Sequence, residues 1–160
     1  MAMLVELLLL LIVANGSPVL VSLLLRRRLS APIDGGRCFW DGQRLFGYTK
    51  TWRGLVVSVL LTALVAHWFG LGAIFGAAFG LLAMVGDLLS SFIKRRFRMA
   101  SSTRFIGLDQ LPEALLPLML ARPVYDMSWW VVLIIAVIFM LLNMGFSPML
   151  YRLGIRSRPH

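Results

Sequence analysis

Fifteen of the sixteen Lys and Arg residues lie in three segments, Arg26 to Arg53, Lys94 to Arg104 and Arg152 to Arg158, set between or after long apolar runs. Positively charged loops are retained on the cytoplasmic side of a membrane. All three clusters are therefore expected inside, and each apolar stretch between two of them must cross the bilayer an even number of times. An apolar run precedes the first cluster, so the N-terminus falls outside and the tail falls in the cytoplasm. Only Arg122 stands apart.

Composition agrees with this placement. The chain is 59% hydrophobic and 14% charged, with mean hydropathy +0.84, whereas soluble domains carry about 25% charged residues. Its 160 residues read as one integral membrane domain, 1–160, all-α, in the cell membrane. The net charge of +9 is accounted for by cytoplasmic retention and anionic headgroups, so no nucleic acid is expected as partner. Cys38 is the single cysteine and has no internal disulfide partner. The first apolar run lacks a basic leader and reads as a retained helix.

Five spans follow. The first runs from Leu4 to Leu25, where Pro18 frees a backbone carbonyl and predicts a kink. Gly54 to Ile93 is 40 residues long, with His67 and Asp87 as its only ionisable groups. As one helix it would reach about 60 Å, twice a hydrocarbon core of about 30 Å, so it must fold back. The reversal is expected at Phe69 to Gly72, giving spans at Leu55 to Trp68 and Ala73 to Ile93. His67 and Trp68 suit the outer interface. Phe105 to Ala121 is a short fourth span with Asp109, Pro112, Glu113 and Pro117, and Pro112 is expected to break its helix. Ser128 to Tyr151, opened by Trp129 and Trp130, is the fifth. Gly72, Gly76 and Gly80 recur at spacing four, a close-packing face that also offers a homodimer surface.

Seven carboxylates are present. Glu6 and Asp126 fall near the outer face, and Asp34, Asp41, Asp87, Asp109 and Glu113 at or just below the inner face. Ionisable residues inside a span are costly and usually functional. Asp87 and Asp109, at similar depth on successive helices, suit a hydrated Mg²⁺, which takes one or two carboxylates, waters and substrate phosphates. The bland alternative pairs Asp87 with Lys94 or Arg95. Ser90, Ser91, Lys94, Arg95 and Arg96 form a hydroxyl-and-cation stretch suited to polyphosphate, or simply to anchoring. The first basic loop places glycines beside Asp34 and Asp41 and ends on Lys50 and Arg53, a composition suited to phosphate or to anionic lipid. It lacks the Walker spacing.

These strings resemble the CDP-archaeol synthase family, which is related to the membrane cytidylyltransferases that make CDP-diacylglycerol. The matching stretches are Pro32-Ile33-Asp34-Gly35-Gly36, Asp41 to Gly47, Lys50 to Gly54, Gly86-Asp87-Leu88 through Arg96, and Leu108-Asp109-Gln110-Leu111. They occur in family order over roughly half of the chain. The resemblance implies a Mg²⁺-dependent transferase of phospholipid biosynthesis. It joins CTP to a membrane lipid phosphate, forms a CDP-lipid of the archaeol or diacylglycerol type, and releases pyrophosphate on the cytoplasmic face. It implies Asp87, Asp109 and Lys94 as catalytic residues, and Asp34, Lys50, Arg53, Ser91, Arg95 and Arg96 as substrate contacts. Asp87, Asp109 and Glu113 are the implied metal ligands.

One departure bears on the metal. The family pattern carries a second acid three residues after the first, where this chain has Pro112 followed by Glu113. Either Glu113 takes over from the next position, or the site has lost a ligand. The segment from Met99 to Arg104 also lacks the expected Gly and Pro residues. A non-catalytic lipid- or nucleotide-binding relative and a small transporter are the competing readings. Against the transporter stand the absence of inverted repeats and the gathering of polar groups at one face.

Overall fold

In the computed structural model, which describes residues 2–26, 28–99, 105 and 107–152, five helices carry the chain. They are α1 (Ala2–Leu25), α2 (Trp52–Trp68), α3 (Ala73–Arg96), α4 (Gln110–Val124) and α5 (Trp129–Arg152). Among the described residues the only extended pairings are two isolated bridges, Pro32 with Thr51 and Cys38 with Arg44. The first basic loop and the C-terminal end of α3 gather at one end of the bundle, where Arg96 reaches Asp41 and Lys50 reaches Asp87. The short turns at 69–72 and 125–128 lie at the other end. Arg156 and Arg158 lie outside the described residues.

Each helix turns one stripe inward at the spacing a helix requires. The buried stripe is Leu7, Leu10, Leu11 and Ala14 on α1, Ala114, Pro117, Leu118 and Ala121 on α4, and Val132, Ile135, Ala136 and Phe139 on α5. Large apolar side chains such as Leu20, Leu60, Leu64, Ile74 and Ile134 cover the outside. An exterior this apolar belongs in lipid rather than water. Helices α1 and α3, each of 24 residues, are long and apolar enough to cross a membrane.

Polar groups inside the bundle are satisfied across helices. Pro18 cannot donate to the carbonyl of Ala14, and Ser58 Oγ on α2 donates to that oxygen at 2.7 Å. The freed carbonyl is therefore closed by a neighbouring helix and does not open onto a cavity. Thr62 Oγ1 donates in turn to the Ser58 carbonyl at 2.7 Å. Gly54, Ser58, Thr62 and Ala66, at spacing four, form a small-residue face on α2. Gly76 and Gly80 of α3 lie against it. A Cβ on Gly76 would meet Ala66 Cβ at 2.4 Å, and one on Gly80 would meet Thr62 Cβ at 3.0 Å.

This packing corrects two expectations. The glycine face is consumed by α2 of the same chain and leaves no surface there for a homodimer. Gly72 does not belong to it either: with φ +88 it caps the start of α3 as part of the turn, and a Cβ there would meet nothing.

The fourth helix also differs from expectation. It begins at Gln110, several residues later than the span Phe105 to Ala121, and runs on to Val124. Pro112 does not break it. As the third residue of the first turn its missing N–H has no helical acceptor to lose. At 15 residues α4 reaches only about 22 Å. The isolated Arg122 places its guanidinium over the Trp129 ring, 4.5 Å from the centroid, which gives this one basic residue outside the clusters an aromatic partner.

Candidate active site

The site begins with a close approach of two helices. Gly86 lets the first turn of α4 lie directly on α3. A Cβ on Gly86 would fall 2.2 Å from the Pro112 carbonyl oxygen and 2.7 Å from the Glu113 nitrogen. Asp87 is the next residue, so the approach brings its carboxylate against that of Glu113, within hydrogen-bonding reach. Glu113 is buried in the first turn of α4. Glu113, one residue after the position where the family pattern carries an acid, thus faces Asp87.

Lys50 closes this pair from the first loop. Its Nζ lies 2.6 Å from both Asp87 oxygens. Burial would favour loss of the Lys50 proton. The Asp87 charge and hydrogen bonds, with Glu113 and Asp109 nearby, outweigh that and raise its pKa above the ordinary lysine value. Next to this group Lys94 Nζ stands 2.6 Å from Asp109 Oδ1. Asp109 is the residue that precedes α4, and its other oxygen accepts the Phe105 N–H at 3.0 Å. Five expected site residues, Lys50, Asp87, Lys94, Asp109 and Glu113, therefore form one charged cluster where the first loop, α3 and α4 meet. Asp87 is paired with Lys50, and Lys94, paired with Asp109, adds its charge to Asp87 from nearby.

Other expected substrate contacts hold the loop around this cluster. Asp34 has a buried side chain, and its two oxygens accept the backbone N–H groups of Gly36, Phe46 and Gly47 at 3.0, 3.2 and 2.9 Å. Arg44 donates to it at 2.7 Å. Burial alone would raise the Asp34 pKa, but these donors outweigh it and set it below the ordinary carboxylate value. Arg96 donates to Asp41 at 2.7 Å and to the carbonyls of Gln43 and Arg44 at 3.3 and 2.8 Å. Its guanidinium also lies 4.7 Å from the ring centroids of both Phe39 and Phe92. Arg53 donates to the carbonyls of Arg28 and Arg26 and so ties α2 to the end of α1. Ser91 and Arg95 are buried on the α3 face at this end, and Ser90 donates to the Asp87 carbonyl at 3.0 Å.

Two partners in this frame escaped sequence reasoning, Asp41 as the anchor of Arg96 and Arg44 as the anchor of Asp34. Nothing in their spacing marks them, because each pairing depends on how the loop folds. The segment 100–104, where expected Gly and Pro residues are lacking, lies outside the described residues.

The arrangement is a concentration of charge at the basic end of an apolar bundle. Asp87 on α3 and Glu113 on α4 can offer oxygens to a divalent cation, and ammonium and guanidinium groups around them can neutralise phosphates. The expected third ligand does not join them: among the described residues no three carboxylates gather closely enough to hold one ion, and Asp109, just before α4, pairs with Lys94 instead. The chain as a whole is similar to known proteins. The CarS-like CDP-archaeol synthase family matches residues 2–79 and 69–160. CDP-archaeol synthase of Thermococcus kodakarensis is 37% identical over 159 residues, covering 91% of this chain and 88% of that protein. The enzymes of the same name from Pyrococcus furiosus and Saccharolobus islandicus are 33% and 34% identical. They cover 91% and 92% of this chain, and 90% and 89% of those proteins. A solved structure described as an intramembrane enzyme for archaeal membrane lipids biosynthesis superposes with a TM-score of 0.72 at 29% identity, covering 88% of this chain and 90% of that one. With the family matched along nearly its whole length, and with the acidic pair and basic loops in place, the chain belongs to the CDP-archaeol synthase family.

Proposed function

We propose that this protein is a cytidylyltransferase that joins the CMP unit of CTP to a membrane lipid phosphate, an unsaturated dialkyl glycerol phosphate of the archaeol type, and releases pyrophosphate. Family membership supplies the reaction class. The observation that carries the residue assignment is the cluster of Lys50, Asp87, Glu113, Asp109 and Lys94 at the basic end of the bundle.

The membrane reading is five spans, N-terminus outside, with the cluster at the cytoplasmic headgroup plane where water-borne CTP and lipid phosphate meet. The apolar exterior and the gathering of basic residues at one end support it. The short α4 then places its polar first turn at headgroup depth rather than in hydrocarbon.

The lipid phosphate is already an anionic nucleophile, so no strong protein base is required. Its oxygen attacks the α-phosphorus of CTP in line as the bond to the β-phosphate oxygen breaks. The chain's work is positioning and charge neutralisation. Lys94 stands where it neutralises phosphate charge. Arg95 lines the same end, and Asp34, Arg53 and Arg96 hold the loop that encloses the nucleotide. The carboxylates of Asp87 and Glu113, side by side, fit a single Mg²⁺, which takes one or two carboxylates and completes its shell with water and phosphate oxygens. When bound there, the ion would supply charge neutralisation to the polyphosphate.

The test is pyrophosphate release by purified protein in lipid–detergent micelles, with CTP, Mg²⁺ and a lipid panel including phosphatidate and an unsaturated digeranylgeranyl ether phosphate. Release is expected to need CTP, the ether phosphate and a divalent cation, and to vanish in Asp87→Asn and Asp109→Asn while both variants remain folded. Activity within a few-fold of the parent in both variants removes the site assignment. Folded protein that binds CTP but releases nothing with any lipid makes the chain a non-catalytic relative.

A further inference from the structure

We infer that Lys50 is the exchangeable counter-ion of the metal site: it occupies Asp87 in the nucleotide-free protein and is displaced onto the polyphosphate when metal and nucleotide enter together. This rests on the cation site proposed above and adds an order to its loading.

The geometry is specific to Lys50. A single ammonium bonds both oxygens of Asp87 at 2.6 Å, the same oxygens a divalent cation needs. Lys94 lies 2.6 Å from Asp109 Oδ1. Lys50 and the metal compete for the same two oxygens, and bringing a second cation onto them favours departure of the ammonium. The backbone of Lys50 does not have to follow. Its carbonyl accepts the Ile33 N–H at 2.8 Å, and Thr51 next to it caps α2. The exchange is therefore a swing of one long, flexible side chain from a fixed root.

A metal ion arriving alone would take up Asp87 and Glu113 and leave a partly buried ammonium poorly neutralised, which is costly. A metal arriving with CTP brings the phosphates that receive it. Metal and nucleotide must then bind with positive coupling, and the coupling must pass through Lys50. The device keeps Asp87 and Glu113 together without a metal and makes the cation selective for its nucleotide complex.

The experiment measures Mn²⁺ binding to the purified protein by electron paramagnetic resonance, with and without CTP and in the absence of lipid phosphate. The parent is expected to bind Mn²⁺ weakly alone and on the order of 10-fold more tightly with CTP. Lys50→Met is expected to bind nucleotide-free Mn²⁺ on the order of 10-fold more tightly than the parent and to lose most of the coupling. If Lys50→Met binds no tighter while Asp87→Asn abolishes binding, the exchange is wrong and the metal site stands. If Asp87→Asn binds Mn²⁺ like the parent, the metal site is wrong and the exchange falls with it. A second measurement needs no variant at this position. The chain has only two lysines, Lys50 and Lys94, so reductive ¹³C-methylation gives a simple spectrum. The Lys50 resonance, assigned with Lys94→Arg, is expected to move when Mg²⁺ and CTP are added together and to stay for Mg²⁺ alone. A resonance unmoved by both together overturns the proposal.

Discussion

Gly86→Ala tests how far the chemistry depends on one helix contact. A methyl at Gly86 would sit 2.2 Å from the Pro112 carbonyl oxygen, 2.4 Å from its carbonyl carbon and 2.7 Å from the Glu113 nitrogen. All three are backbone atoms of the first turn of α4, so no flexible side chain can move aside. Ordinary contact begins at 3.4 Å, and α4 must retreat by about 1 Å. Overpacking of this kind costs about 1–3 kcal/mol. The retreat also carries Glu113 away from Asp87, and a misplacement of about 1 Å costs on the order of 10²-fold in rate. Two controls separate stability from chemistry. Gly76→Ala clashes as badly, at 2.4 Å from Ala66 Cβ, but near the turn end of the bundle; Gly16 has nothing within 4 Å. Thermal unfolding in detergent should fall for Gly86→Ala and Gly76→Ala and hold or rise for Gly16→Ala. Pyrophosphate release per folded molecule should fall on the order of 10²-fold for Gly86→Ala alone. A Gly86→Ala variant within two-fold of the parent refutes the claim that this approach sets the acidic pair.

Asp34→Asn removes a buried carboxylate that accepts three backbone N–H groups and an Arg44 bond, and should cost about 1–3 kcal/mol in thermal unfolding. Because the folded pKa of Asp34 is depressed, its contribution is complete above the unfolded carboxylate value near pH 4 and is lost as pH falls through the lower folded value. The parent's stability should therefore fall more steeply than the variant's below about pH 4, and parallel acid limbs would contradict this account. Ser58→Ala should cost about 1 kcal/mol by leaving the Ala14 carbonyl only the long Ser17 hydroxyl contact at 3.5 Å, whereas Ser22→Ala, on an exposed hydroxyl, should cost nothing measurable; equal melting curves for the two would contradict it. Arg96→Lys keeps the charge but loses the planar fork that reaches Asp41 and two carbonyls and packs against two rings. Trypsin should then cut the first loop at Arg37 or Arg44 faster than in the parent, and unchanged protection would show that Arg96 does not hold the loop.

Much of this protein could be read without coordinates because lipid and charge act on sequence directly. A chain with 15 of 16 cations in three clusters and long apolar runs between them allows few arrangements. The fold-back followed from length, since a 40-residue apolar helix would far exceed the membrane, and the glycines of Phe69 to Gly72 placed it between Trp68 and Ala73. Asp87 and Asp109 stood out because a charge inside a span is expensive to keep, and Lys94 and Lys50 because they sit in the basic loops that carry the family resemblance. What the sequence could not decide was which of these charges meet. Pairings across the site join residues 37 apart, as in Lys50 with Asp87, or 55 apart, as in Arg96 with Asp41. Their choice depends on the fold of the first loop and on the height at which α4 meets α3. Pro112 shows the same limit. In sequence it looked like a broken helix and a lost ligand. In three dimensions it is a first-turn residue whose carbonyl lies on Gly86, and the helix it opens turns Glu113 onto Asp87. The glycine stripe, equally visible in sequence, was assigned to its partner only by the small face of α2, because a packing surface does not say which helix fills it.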